Sequence, residues 1–114
     1  MQKHQLYLGD TVLTADMSVC TNFIERGRGL LWREPLNAAC GEALLIPRCN
    51  SVHTFWMSYR IKVLFLDKAG RIVRIFADAA PWRVVACRDA SFALECAVET
   101  SWAQGLSVGQ QVHW

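Results

Sequence analysis

The sequence predicts a single mainly β domain, residues 1–114: a small jelly-roll-like β-sandwich or barrel with one early α-helix and a short C-terminal helical turn. Three observations carry that expectation. Residues 62 to 67 are almost continuously apolar, the pattern of a strand buried on both faces. Asp67-Lys68-Ala69-Gly70 supplies turn chemistry, fitting a type I turn whose last residue takes positive φ and seeds a bulge, before a second β-rich run from Arg71 to Phe76. Ser91 to Val98 alternates, with Phe92, Leu94, Cys96 and Val98 on a core face and Ala93, Glu95 and Ala97 on a thinly polar one.

The other elements follow from local signals. Leu6 to Leu8 and Thr11 to Ala15 read as a hairpin around Gly9-Asp10. From Ser18 the period changes: Val19, Phe23, Gly27, Leu30 and Leu31 share a helix face, Asn22 and Glu25 form a capping-box-like start, and Pro35 ends the run. Gly27 and Gly29 weaken such a helix by about 1 kcal/mol each, which predicts a packing reason such as close approach to a sheet. Glu42 to Ile46 is a short apolar strand closed by Pro47, and Val52 to Met57 is a further strand after the polar loop 48–51. Asp78 to Pro81 breaks the pattern, and Trp82 to Ala86 forms an extended or edge segment. Glu99 to Gln104 makes about one and a half helical turns, stopped by Gly105, and Gly109 leads into a last strand from Gln110 to Trp114. That terminal strand either exposes an edge or folds Trp114 back onto the core.

Composition narrows the class. With 53% hydrophobic and 19% charged residues, 114 residues suffice for a real core without disulfides or a structural metal. A formal charge of +2, with basic residues spread along the chain, argues against nucleic acid as partner. Met1 to Asp10 lacks the apolar core of a signal peptide, and no stretch approaches the ~20 apolar residues of a membrane span. The odd set of five cysteines, without a C-x-x-C pair, suits reduced thiols, so the expected location is the cytoplasm. The five tryptophans each want an N–H partner, which predicts that some lie at the core boundary or in a cleft.

Three constellations could carry chemistry. Cys49 and His53, joined by Cys87, are good Zn²⁺ ligands, although a structural site wants four donors; the bland alternative is a small buried thiol and a histidine bonded to a backbone carbonyl. Cys49 or Cys87 with His53 as base, oriented by Asp89 or Glu95, would make a thiol nucleophile, but no recognised local motif surrounds them. His53, Trp56, Tyr59, Trp82 and Arg83, with Arg60 at the rim, would form a cleft for a sugar, an anionic small molecule or an extended peptide. Trp56 and Tyr59 are three residues apart, so both line one cleft only if the chain bends between them. Gly27-Arg28-Gly29 lacks the rest of a phosphate-binding pattern, and the carboxylates form no catalytic pair.

Several ordered motifs carry a family resemblance: Gly29-Leu30-Leu31-x-Arg33-x-x-Leu36, Val52-His53-Thr54-Phe55-x-Met57, Val63-Leu64-Phe65-Leu66-Asp67-x-x-Gly70-Arg71-Ile72-Val73, Pro81-Trp82-Arg83-Val84, Leu94-Glu95 and Gly105-Leu106-x-x-Gly109. Over roughly Thr14 to Val112 the chain resembles domain-of-unknown-function family 192, an uncharacterised group of compact mainly β domains. The resemblance implies the fold, with no established reaction, cofactor or ligand, and suggests a link with bacterial secretion or pilus assembly that no residue demonstrates. Where the family usually carries a proline and an aspartate, this chain has Arg60 and Lys62, and Gly109-Gln110 replaces the usual Gly-Asp turn. The leading expectation is a non-enzymatic ligand- or protein-binding accessory module without a cofactor; the alternative is a metal-dependent or thiol-based enzyme centred on Cys49, His53 and Cys87.

Overall fold

In the computed structural model, which describes residues 1–28 and 34–114, one long sheet curls around an apolar interior. Its strands are β1 (Gln2–Leu8), β2 (Thr11–Val19), β3 (Ala43–Pro47), β5 (Ile61–Leu66), β6 (Ile72–Ala79), β8 (Phe92–Ala97) and β9 (Val112–His113). They lie in the order β6-β5-β8-β3-β2-β1-β9, antiparallel except for the parallel pair β2–β3. The sheet's two edges meet at one end, where Arg71 bridges Gln111, Ile72 N–H donates to Gln110 O at 2.8 Å, and Val112 N–H donates to Gly70 O at 3.0 Å. Gly70 is required there: its φ is +85°, and a Cβ would stand 2.3 Å from Val112 O. A separate two-stranded ribbon, β4 (Ser51–His53) with β7 (Val84–Ala86), lies against the outside of the sheet.

Because both faces of the sheet are covered, the core is double. Leu6, Met17, Leu45, Leu64, Ile72, Leu94, Cys96 and Val112 fill the inside of the curl, closed by Ala103 and Trp102 of the short helix α2 (Ser101–Gln104). Leu44, Ile46, Ile61, Val63, Phe65 and Ala93 form the outer layer, covered by Val85, Val52, Met57 and Leu36. Each of these large side chains contributes roughly 1.5–3 kcal/mol by leaving water. β5 is buried at all six positions, as its apolar run predicts.

The Asp67–Gly70 turn forms as read: Gly70 N–H donates to Asp67 O at 3.0 Å, Asp67 Oδ1 accepts the N–H groups of Ala69 and Arg71, and the register slips between Phe65 and Leu66. Helix α1 (Phe23–Arg28) starts on Asn22, whose Oδ1 accepts Glu25 N–H at 2.9 Å, while Glu25 Oε1 accepts Thr21 N–H at 2.8 Å. Trp114 does fold back, its ring edge-on to Phe92 at 5.0 Å. No described helix is long and apolar enough to cross a membrane.

Four expectations change. Ser18 and Val19 belong to β2, not to the helix, because their backbones pair with Leu44 and Leu45 of β3. A Cβ at Gly27 would meet nothing within 4 Å beyond its own helix and chain neighbours, so no close contact with the sheet calls for glycine there; Gly29, Leu30 and Leu31 lie outside the described residues. The strand expected from Val52 to Met57 stops at His53. β8 has no polar outer face: Glu95 is only 4% exposed because the ribbon side of the sheet is covered as well.

Candidate functional site

The site is built on Thr54, which follows β4 and is fully buried. Its N–H donates to Arg83 O at 2.8 Å, and its hydroxyl donates to Ala80 O at 2.6 Å while accepting Arg83 N–H at 2.8 Å. Its carbonyl accepts Trp82 N–H at 2.9 Å and Met57 N–H at 3.3 Å. Every backbone and side-chain polar group of this residue is thus used to pin the 54–57 turn to the 80–83 turn.

Each turn carries a tryptophan in the left-handed region, Trp56 at φ 69° and Trp82 at φ 62°. That conformation costs a non-glycine residue roughly 1–2 kcal/mol, which the surrounding hydrogen bonds must offset. Its effect is to turn both indoles outward: Trp56 is 74% exposed and Trp82 52%. Their rings meet edge to face at 4.7 Å; Phe55 lies 5.9 Å from Trp82, and His53 stacks on Phe55 at 5.1 Å. Val84, 61% exposed on β7, extends this apolar face, and Arg83 Nη1 donates to Trp82 O at 3.2 Å at its edge.

Of the six residues expected to line one cleft, the structure gathers His53, Trp56, Trp82 and Arg83 and sends the other two elsewhere. The chain does bend after Thr54, but Met57 turns into the outer core, and Tyr59 and Arg60 line a separate depression of about 360 Å³. Arg60 pairs there with Asp78 at 3.2 Å. Sequence reasoning missed Thr54, Phe55 and Val84. Reading Val52 to Met57 as one strand hid the turn, and only the Val52–His53 alternation signalled which side chains face out.

Cys49, His53 and Cys87 do not converge. Cys49 Sγ donates to Ser51 O at 3.1 Å, and the N–H of Cys87 donates to Asn50 O at 2.9 Å, so both cysteines sit at the Ser51–Ala86 end of the ribbon, half-buried against the outer core. His53 pairs with Val84 at the other end and is exposed. No group of three or more His, Cys, Asp or Glu side chains able to hold a metal occurs among the described residues. Burial pushes the Cys49 thiol up, and the Glu95 charge adds to the effect, opposite to what a nucleophile needs. Asp89 is exposed and Glu95 buried in the sheet.

Lys62 lies on the opposite face of the sheet from this region. It is 6% exposed inside the curl, and its Nζ donates to Ala103 O of α2 at 3.3 Å. The charge at position 62 is therefore interior, in the chamber closed by α2, whereas Cys49 packs against the outer layer.

Comparison with known proteins agrees with this architecture. The model of the family described as "Uncharacterized ACR", domain-of-unknown-function family 192, matches residues 5–114. A UPF0127 protein of Pyrococcus abyssi is 30% identical over 100 residues, 86% of this chain and 85% of its own length. A UPF0127 protein of Pyrococcus horikoshii is 34% identical over 70 residues, and the match spans 60% of either protein. The crystal structure of a protein of unknown function from Novosphingobium aromaticivorans superposes with a TM-score of 0.72 over 86% of this chain and 74% of that one, at 18% identity, which shows a shared fold.

Proposed function

The chain belongs to domain-of-unknown-function family 192, and from its aromatic face we propose that it is a non-enzymatic binding module that captures a protein partner. The observation that carries this reading is the pair Trp56 and Trp82, exposed by 74% and 52% and held outward by left-handed backbone on the buried Thr54. Solvent exposure of two indoles is unfavourable, and strain spent on it calls for a partner that covers them. Tryptophan and arginine are the residues that most often carry binding energy at protein interfaces, and Arg83 borders the pair. The face projects instead of enclosing, whereas small-molecule sites bury most of their ligand; a protein surface suits it better. The ribbon strands β4 and β7 extend the face with Val84.

The test is comparative capture. Partners retained by the native protein are scored against Trp56→Ala and Trp82→Ala, with folding checked by circular dichroism. The expected result is one partner bound directly in purified form, weakened at least tenfold by either substitution, with a blue shift of tryptophan emission on binding. Equal binding by both folded variants would remove the proposal. No observation on the site bears on secretion or pilus assembly, and the scattered Cys49, His53 and Cys87 give the enzyme alternative no support.

A further inference from the structure

We infer a second binding site, independent of the aromatic face: a groove that takes an organic cation, an amine or guanidinium carried on a short apolar stem. The depression lined by Tyr59, Arg60 and Asp78 shares Leu36 and Glu99 with a neighbouring one of about 680 Å³ lined by Asn37, Ala39 and Ser101, so the two are lobes of one groove. Leu36, 5% exposed, forms an apolar floor common to both lobes, and Val98 adds to it in the first.

The polar groups along the groove decide the ligand. Arg60 and Asp78 neutralise each other at 3.2 Å. Glu99, at the junction of the lobes, makes no hydrogen bond or ion pair with any described residue. A carboxylate with no partner among the described residues, above an apolar floor, selects a positive group with a hydrocarbon stem. Part of the second lobe's lining is preformed: Asn37 Oδ1 accepts the N–H groups of Ala39 at 2.9 Å and Cys40 at 3.3 Å, and Asn37 N–H donates to Glu42 Oε1 at 2.8 Å. Little ordering is then left for the ligand to impose.

Such a cation can be a free alkylamine or the side chain of a lysine or arginine in an extended peptide. Both sources are tested on the ¹⁵N-labelled full chain, one arm titrated with agmatine and the other with a capped Gly-Arg-Gly peptide. Saturable shifts of the Tyr59, Val98, Glu99 and Ser101 amides are expected, with affinity falling roughly tenfold in Glu99→Gln, the scale of one charge-assisted hydrogen bond. Trp56→Ala should leave these shifts unchanged, which separates this groove from the aromatic face. Binding in one arm alone assigns the source. No saturable shift in either arm, or equal affinity in Glu99→Gln, overturns the inference.

Discussion

Thr54 and Arg83 are joined by two backbone-directed hydrogen bonds of 2.8 Å, one from each residue's N–H, although 29 residues separate them. Replacing Thr54 by valine keeps the shape but removes the hydroxyl, leaving Arg83 N–H and Ala80 O without it. The expected loss is about 2–3 kcal/mol in urea denaturation, with Thr54→Ser losing only about 1 kcal/mol. Tryptophan emission should change in the valine variant as the two turns loosen.

The left-handed backbone at Trp56 separates two otherwise similar truncations. At φ 69° glycine is unstrained and alanine is not. Trp56→Gly should therefore be more stable than Trp56→Ala by about 1 kcal/mol, the reverse of their order in ordinary backbone. Matched denaturation curves would test this.

Gly27 lies in α1 with open space where a Cβ would project and a φ outside the left-handed region. Gly27→Ala should raise stability by roughly 0.5–1 kcal/mol, through helix propensity and a stiffer unfolded chain. A lower melting temperature would show that the position has a packing role after all.

Inside the curl, Lys62 donates to Ala103 O across from Cys96. An aspartate at this position cannot donate to that carbonyl and would place a carboxylate in an apolar interior. Lys62→Asp should cost at least about 3 kcal/mol, whereas Lys62→Met, which keeps the stem and removes the charge, should change stability by less than about 1.5 kcal/mol. Denaturation midpoints of the two variants should differ accordingly.

Burial raises the thiols of Cys20 and Cys96 from 9.0 to about 11, with the negative charge of Glu25 adding at Cys20 and the Thr100 hydroxyl partly opposing the rise at Cys96. Between those values the unfolded chain has already lost protons that the folded one keeps. The thiols' contribution is therefore intact below 9.0 and declines as pH rises toward about 11. Urea midpoints measured from about pH 8 to about pH 10.5 should fall less steeply in the double variant Cys20→Ala, Cys96→Ala. A thiol reagent at neutral pH should label exposed Cys40 and spare both buried cysteines.

Local chemistry was legible before the fold was. Asp67 and Gly70 specify their turn by their own side chain and φ, and the apolar run of β5 marks burial on both faces. Thr54 was illegible for the opposite reason. Its partners Ala80 and Arg83 are distant in sequence, so Trp56 and Trp82 could be named as residue types without their edge-to-face pairing. Glu95 misled because alternation with alanine resembles a solvent face, and only the ribbon packed over β8 reverses that reading. His53 was placed with Cys49 by spacing alone, and an extended strand between them carries the ring away from the thiol.

The curled sheet acts as a partition. Lys62 answers to the chamber closed by α2, while Glu95, one register pair along β8, answers to the chamber under the ribbon. The two chambers pack separately, although charge acts through the sheet between them: Glu95 helps to raise the thiol of Cys96, which faces the inner chamber. A domain divided in this way can vary the packing of its inner chamber and leave its aromatic exterior unaltered.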